Sequence, residues 1–237
     1  MKWNGSKNMY LIEQSTEDIV KNKRIEYIDI ARGIAIILMV FGHLGFLWNI
    51  QPVRNAIYSF HMPLFIIISG LFFNEKDKLK DLLKKIGKKL LLPYIVTIVI
   101  TNLLYSIVHK EEFILINLIK QTVLASSNYL RFAPEIASVN QLWFITFLAM
   151  IRILFYTINK ICNNDIQKGI VCLLFTIEGM VLAKISIFLP WSLDIALATI
   201  IFYYVGYIIK KYNCLEKIIN TKIVLCVFIV IWYARIR

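Results

Sequence analysis

An all-α, polytopic transmembrane helix bundle of about seven spans with a cytoplasmic N-terminus is the architecture this sequence predicts, on three observations. Of its 237 residues, 59% are hydrophobic and 18% charged, where a soluble domain carries about 45–50% and about 25%; the mean hydropathy is +0.67. The apolar residues collect in runs of about 20, the number that crosses a hydrocarbon core about 30 Å thick. The basic residues collect between the runs, with a bias that alternates from one connection to the next. Collagen-like and disordered chains are excluded by a composition with only 9 Gly and 5 Pro.

The elements follow in order. Residues 1–28 form a polar, charged cytoplasmic segment, and residues 29–237 form the membrane domain. No cleavable signal is readable ahead of the first apolar run near Ile30, and the first span is expected to serve as its own insertion signal. Spans are expected at 31–50, 55–73, 90–108, 142–158, 170–189, 193–209 and 222–235. The apolar stretch 113–125 is short and carries Lys120, which predicts an interfacial or re-entrant helix on the outer side. Segments 1–32, 74–89, 159–169 and 210–222 hold 19 of the 27 Lys and Arg residues, which puts these connections and the N-terminus in the cytoplasm.

One connection has a pattern of its own. In Lys76–Leu90 the apolar residues Leu79, Leu82, Leu83, Ile86 and Leu90 lie on one helical face with lysines opposite. This predicts an amphipathic helix on the cytoplasmic surface, either anchored to anionic lipid or gripping a phosphorylated donor. The net charge of +12 is thereby a topological signal. No basic stretch is interleaved with aromatics as nucleic-acid binding requires, so no nucleic-acid partner is expected. Cys162, Cys172, Cys214 and Cys226 lack metal-ligand spacing and read as small apolar residues, so no metal is expected.

Ionisable groups inside spans are costly and mark function. They are Arg32, His43, His61, Arg152, Glu178, Lys184 and Asp194. Arg32 and His43 are 11 residues apart, close to three turns, so one helical face carries both, ~16 Å apart along the axis. Asp29 is within i, i+3 reach of Arg32 and either orients the guanidinium or marks the helix start at the lipid interface. His61 enters the second span to about the depth that His43 has in the first. Pro63 removes a backbone donor and predicts a kinked or unwound helix, and hence a cavity near His61, Ser69 and Gly70. Glu178 and Lys184, six residues apart, lie on roughly opposite faces and cannot pair.

Several of these residues fall in motifs. The run Tyr27-Ile-Asp-Ile-Ala-Arg-Gly…Gly-His43, with its Asp-x-x-Arg-Gly opening and Arg-x10-His spacing, resembles the first span of the membrane acyltransferase-3 family. Phe60-His-Met-Pro-Leu-Phe…Ser-Gly70, Leu91-Leu-Pro-Tyr94, Gln141-Leu-Trp-Phe144 and Leu189-Pro-Trp-Ser-Leu-Asp194, followed by Phe202 and Gly206, fit in the same order. The likeness is strongest to the fucose 4-O-acetylase-like branch.

The resemblance implies a multi-pass cell-membrane enzyme that moves an acyl group, usually acetyl, from cytoplasmic acetyl-CoA to a hydroxyl of an envelope glycan, a lipid-linked sugar or another extracytoplasmic acceptor. Carried over, His43 is the catalytic histidine, supported by Arg32 and Asp29. Arg32 with Lys84, Lys85, Lys88 and Lys89 approaches the coenzyme A phosphates, although lysine lacks the bidentate fork of the arginines many relatives place there. His61, Ser69, Trp143 and Asp194 bind the substrate. The chemistry suits a histidine, since acyl transfer to an alcohol needs a base for the hydroxyl proton and a donor for the oxyanion. Burial in a bundle lowers an imidazole pKa and keeps it a base. His61 binds acceptor, orients His43 or donates to the oxyanion.

Family members carry further spans beyond the equivalent of the seventh, including a late histidine-bearing helix. A bundle short at the C-terminus is therefore expected, completed by a second chain if at all. The alternative reading is a non-catalytic membrane protein, either a glycan transporter or a truncated, inactive remnant.

Overall fold

The computed structural model describes residues 26–44, 50–110, 118–119, 122 and 142–214, and among these it is helical with no strand. The chain divides into two compact units, Met1–Ile57 and Tyr58–Arg237.

The first unit holds helix α1, Glu26–Gly42. It begins earlier than the expected span 31–50 and ends sooner. After Gly42, a poor helix former, the ladder tightens to i→i−3 bonds from His43 N–H to Val40 (3.1 Å) and from Leu44 N–H to Phe41 (3.0 Å). Ile28 and Ala35 are buried, while Ile30, Ile34, Ile37 and Val40 are exposed.

Helix α2, Gln51–Leu71, carries the chain into the second unit. It runs through Pro63 without interruption, so the unwinding expected there does not occur. Proline's fixed φ is compatible with a helix, and the missing donor costs one bond. Ser69 and Gly70 are buried, and Gly70 lies against the backbone of α7. A Cβ added to it would stand 2.1 Å from the carbonyl oxygen of Tyr203, so it marks a packing seam.

The amphipathic segment also differs from expectation. Helix α3, Leu79–Ile86, continues through a π-helical turn, Gly87–Leu91, into helix α4, Leu92–His109, and Leu79–Val108 is one apolar helix of 30 residues. The turn has a local cause. Pro93 cannot donate to Lys89 four residues back, and the ladder widens so that Leu92 N–H reaches the Gly87 carbonyl, five residues back. Leu82 and Ile86 pack on Ala149, with Ile153 and Tyr156 beside them, so protein covers part of the face expected to meet lipid. Three polar side chains of α4 bond back to their own helix, Thr97 to Pro93 C=O (2.8 Å), Thr101 to Thr97 C=O (2.8 Å) and Asn102 to Ile98 C=O (2.9 Å), which satisfies these groups within the segment.

Helices α5, Trp143–Ile161, α6, Asp165–Lys184, and α7, Leu193–Lys211, complete the described unit, α7 being preceded by a 3₁₀ turn, Pro190–Ser192. Their core joins Phe147, Ile151 and Phe155 to Ala196, Ile200, Tyr203 and Tyr207, with Ile66 and Phe73 contributed from α2 and the residues after it. Helix α6 buries Lys168, Cys172, Thr176 and Gly179 and exposes Leu173, Leu174, Ile177 and Val181. Small and polar groups inside with large apolar ones outside suit a lipid-facing helix, since lipid exerts no hydrophobic force between helices. Close backbone approach replaces it. A Cβ on Gly206 would stand 2.0 Å from Ile67 O, and one on Gly179 2.2 Å from Ala198 N.

Four helices among the described residues are long and apolar enough to cross a membrane: Leu79–Val108, Trp143–Ile161, Asp165–Lys184 and Pro190–Lys211. They correspond to the third to sixth expected spans. Helices α1 and α2 stand where the first two were expected but are not among the four. The seventh, 222–235, lies outside the described residues, as does most of 113–125.

Gly206→Ala is expected to destabilise the protein by about 1–3 kcal/mol or more through overpacking. Gly87→Ala, whose Cβ meets nothing within 4 Å, should be neutral or mildly stabilising. Thermal unfolding of the two purified variants in detergent checks the contrast, and equal melting points would refute the seam.

Candidate active site

In the first unit, the Arg32 guanidinium lies 3.5 Å from the Asp29 carboxylate, an i, i+3 pair with side chains 40% and 32% exposed. The helix begins early enough, at Glu26, to bring the two together. At that exposure the pair orients the guanidinium more than it stabilises the fold. His43 is exposed, one residue past the last residue of α1. The desolvated imidazole anticipated from a longer helix is therefore replaced by an accessible one.

In the second unit, His61 is 1% exposed and meets the Tyr58 ring edge-on at 5.2 Å between centroids. Two turns further along α2, Ser69 Oγ accepts from Arg152 Nε at 3.3 Å, with the buried Tyr203 side chain beside both. Arg152, near the middle of α5, is thus held by a neutral hydroxyl of α2. Trp143 opens α5 and packs on Phe144 and Phe147 at 6.1 and 5.9 Å, with its carbonyl accepting from Thr146 Oγ1 at 2.8 Å.

Asp194 is buried in the first turn of α7 and accepts from Leu189 N–H at 3.4 Å. A carboxylate there also offsets the positive end of the helix dipole. The Leu189–Asp194 run needs such ties, because Trp191 and Ser192 hold left-handed φ values of 58° and 54°, which cost non-glycine residues free energy. Lys84, Lys85, Lys88 and Lys89 are all exposed, and Lys85 pairs with Asp77. Lys88 and Lys89 belong to the π-helical turn. Glu178 and Lys184 are exposed on α6.

A second constellation was not anticipated. Where α2, α6 and α7 share one end of the unit, the Tyr207 hydroxyl donates to Glu75. It accepts from Lys168 Nζ and Lys211 Nζ, each at 3.0 Å, and lies 3.0 Å from Asp165 Oδ1. Lys211 Nζ lies 2.8 Å from Asp165 and 3.6 Å from Glu75; Lys168 Nζ lies 3.5 and 3.9 Å from the same two carboxylates. Asp165 is fixed by its neighbours, since Asn164 caps α6 by accepting from Gln167 N–H (2.8 Å) while Gln167 Oε1 accepts from Asn163 N–H (3.1 Å). Tyr212 donates to its other oxygen at 2.8 Å.

The Tyr207 hydrogen bond, aided by Lys211 and Lys168 and opposed by partial burial, holds the Glu75 carboxyl below its usual range. The available signal was Asp165 and Lys168 at i, i+3 and Tyr207 and Lys211 at i, i+4 on consecutive apolar helices. No group of three or more His, Cys, Asp or Glu residues among the described residues could hold a metal ion.

A bundle of apolar helices joined by small-residue seams and bonded polar groups is the construction of a membrane-embedded protein. The acyltransferase-3 family, described as an acyltransferase domain, matches residues 25–234, and the chain belongs to that family. The chain is similar to nodulation protein NolL of Sinorhizobium fredii, 41% identical over 68 residues covering 25% of this chain and 18% of that protein. It is also similar to nodulation protein NolL of Mesorhizobium japonicum, 36% identical over 84 residues covering 30% and 22%. The matched segments are thus about a fifth of those relatives. No solved structure matches the chain.

A depressed carboxyl pKa contributes stability above the unfolded value and loses it as pH falls through the folded one. Unfolding temperature should therefore drop below about pH 4.5, the ordinary glutamate range, and Glu75→Gln should make that drop shallower. Parallel pH profiles for the two proteins would remove Glu75 from the acid response.

Proposed function

We propose that the protein is a cell-membrane O-acyltransferase that moves an acyl group, acetyl in the first instance, from a cytoplasmic acyl-CoA to a hydroxyl of an envelope glycan or lipid-linked sugar. Family membership supports acyl transfer. The motif likeness to the fucose 4-O-acetylase-like branch supports a sugar hydroxyl as acceptor, and the basic bias of 1–32, 74–89, 159–169 and 210–222 supports a cytoplasmic N-terminus. The observation that carries the reading is Arg32 held by Asp29 on the helix that ends one residue before His43.

In this reading His43 takes the proton from the acceptor hydroxyl as its oxygen attacks the thioester carbonyl carbon. The carbonyl oxygen gains charge, the carbon–sulfur bond breaks, and the departing thiolate is protonated by the imidazolium. The exposure of His43 suits it to an acceptor arriving from outside the helix. Arg32, oriented by Asp29, supplies a fixed cationic fork to the donor. His61, Ser69, Trp143 and Asp194 serve the acceptor side, with Ser69 tied to Arg152. Lys84, Lys85, Lys88 and Lys89 present exposed charge to the coenzyme A phosphates.

Mass spectrometry of cell-surface polysaccharide should show the mass of one acetyl group with the gene and not without it. His43→Ala should remove that mass while the protein still accumulates in membranes, a loss on the order of 10²–10⁴ for a general base. Retained acetylation in His43→Ala would sink the role of His43. Arg32→Lys should keep part of the activity and raise the KM for acyl-CoA more than it lowers kcat, because it preserves charge and loses the fork.

A further inference from the structure

The polar cluster around Tyr207 is neutral within itself, because two carboxylates, Glu75 and Asp165, face two ammonium groups, Lys168 and Lys211. A cavity of about 220 Å³ opens on this cluster, lined by its Glu75, Tyr207 and Lys211 and by Phe73, Asn74, Lys76 and Lys210. Neither Lys76 nor Lys210 has a carboxylate within ion-pair distance among the described residues. Lys210 Nζ donates to the Phe73 carbonyl at 2.8 Å, which fixes it at the cavity without neutralising it. Asn74 Oδ1 accepts from the Lys76 backbone N–H at 3.2 Å, which ties the two rim residues together. The lining thus sets one carboxylate, Glu75, paired with Lys211 at 3.6 Å, against three ammonium groups, an excess of two positive charges carried by Lys76 and Lys210, and the cavity has room for about seven water volumes, more than a bare phosphate needs.

Its depth says what supplies the negative charge. The cavity sits at the last turn of α7, a helix apolar enough to span, and Tyr204, Tyr207 and Tyr212 gather at the same level around Asp165. Tyrosines with lysines at the end of a span mark headgroup depth, and basic pockets between spans take lipid headgroups. We propose that this cavity binds a phosphate group presented by the headgroup of an anionic phospholipid, with Lys76 and Lys210 as its charge partners. The site shares no residue with those assigned to acyl transfer and does not depend on that reaction.

The test uses the full chain purified in neutral detergent, with phosphatidylglycerol, phosphatidylcholine, inorganic phosphate and coenzyme A as probes, read by native mass spectrometry and by thermal shift. Phosphatidylglycerol should be retained in preference to phosphatidylcholine. Lys76→Gln with Lys210→Gln should weaken its binding about thirty-fold, the factor two lysines supply at a lipid surface. Lys80→Gln, an exposed lysine that does not line the cavity, should bind like the parent. Lys76→Gln alone, at an exposed side chain, serves as the second variant where loss of the Phe73 contact disturbs folding, with a loss of about five-fold expected. Displacement of the lipid by an equal concentration of inorganic phosphate or coenzyme A would overturn the lipid as the source and assign the phosphate site to a soluble ligand. Equal retention of the two lipids, or parental affinity in the Lys76 and Lys210 variants, would overturn the site.

Discussion

The second unit depends on the absence of side chains at Gly70 and Gly206. In a bilayer the apolar surfaces of two helices gain nothing by leaving lipid for each other, and cohesion comes from contact density and polar bonds. With hydrogens at these two positions the backbones of α2 and α7 meet directly, Gly70 on the Tyr203 carbonyl and Gly206 on that of Ile67. This approach lets Phe73 reach Phe155 and Tyr203 with ring centroids 4.9 and 6.3 Å away. It also brings Ser69 into the company of Arg152 and Tyr203. A separation larger by one methyl group would open each of these contacts at once.

The polar groups inside this unit are handled in two ways. Threonines return their hydroxyls to their own helix, as Thr176 does to Cys172 C=O and Thr199 to Ile195 C=O at 2.9 and 2.7 Å. Charged groups are instead shared between helices, as in the pairing of Arg152 with Ser69 and the four-charge ring around Tyr207. A buried charge is costly alone and tolerable when every partner is present, so these groups specify which helices meet as much as they stabilise the meeting. Tyr207 has one proton for two carboxylates, and the two lysines complete what that proton cannot.

Hydropathy and charge made the third to sixth spans legible, because long apolar runs and basic connections follow directly from the thickness of the membrane and the side on which charge is retained. The Asp29–Arg32 pair was legible as well, since i, i+3 spacing on a helix leaves little freedom. Pro63 was misleading because proline's effect depends on how neighbouring groups compensate, and no local pattern encodes that. His43 was misplaced for a related reason. An apolar run continues past Gly42, so nothing in its hydropathy shows where the helix stops. The Tyr207 ring was hidden because its members come from three stretches separated by about ninety and forty residues, each bland by itself, and only the packing of α2, α6 and α7 makes them neighbours.

The π-helical turn at Gly87–Leu91 has a geometric consequence for the long helix that contains it. Along an unbroken α-helix, the eight residues from Ile86 to Tyr94 accumulate about 800°, which leaves the second residue about 80° around from the first. A π-turn absorbs one extra residue, about 100°, without advancing the winding, and so it nearly cancels that offset. Leu82 and Ile86 can then rest on Ala149 and Ile153, and Tyr94 and Ile98 on Leu142 and Ile145, along a single side of α5. The widened turn works as a phase corrector. It joins two stripes written in different registers into one seam about 24 Å long from Leu82 to Ile98, and it leaves the lysines of the first half turned outward beside it.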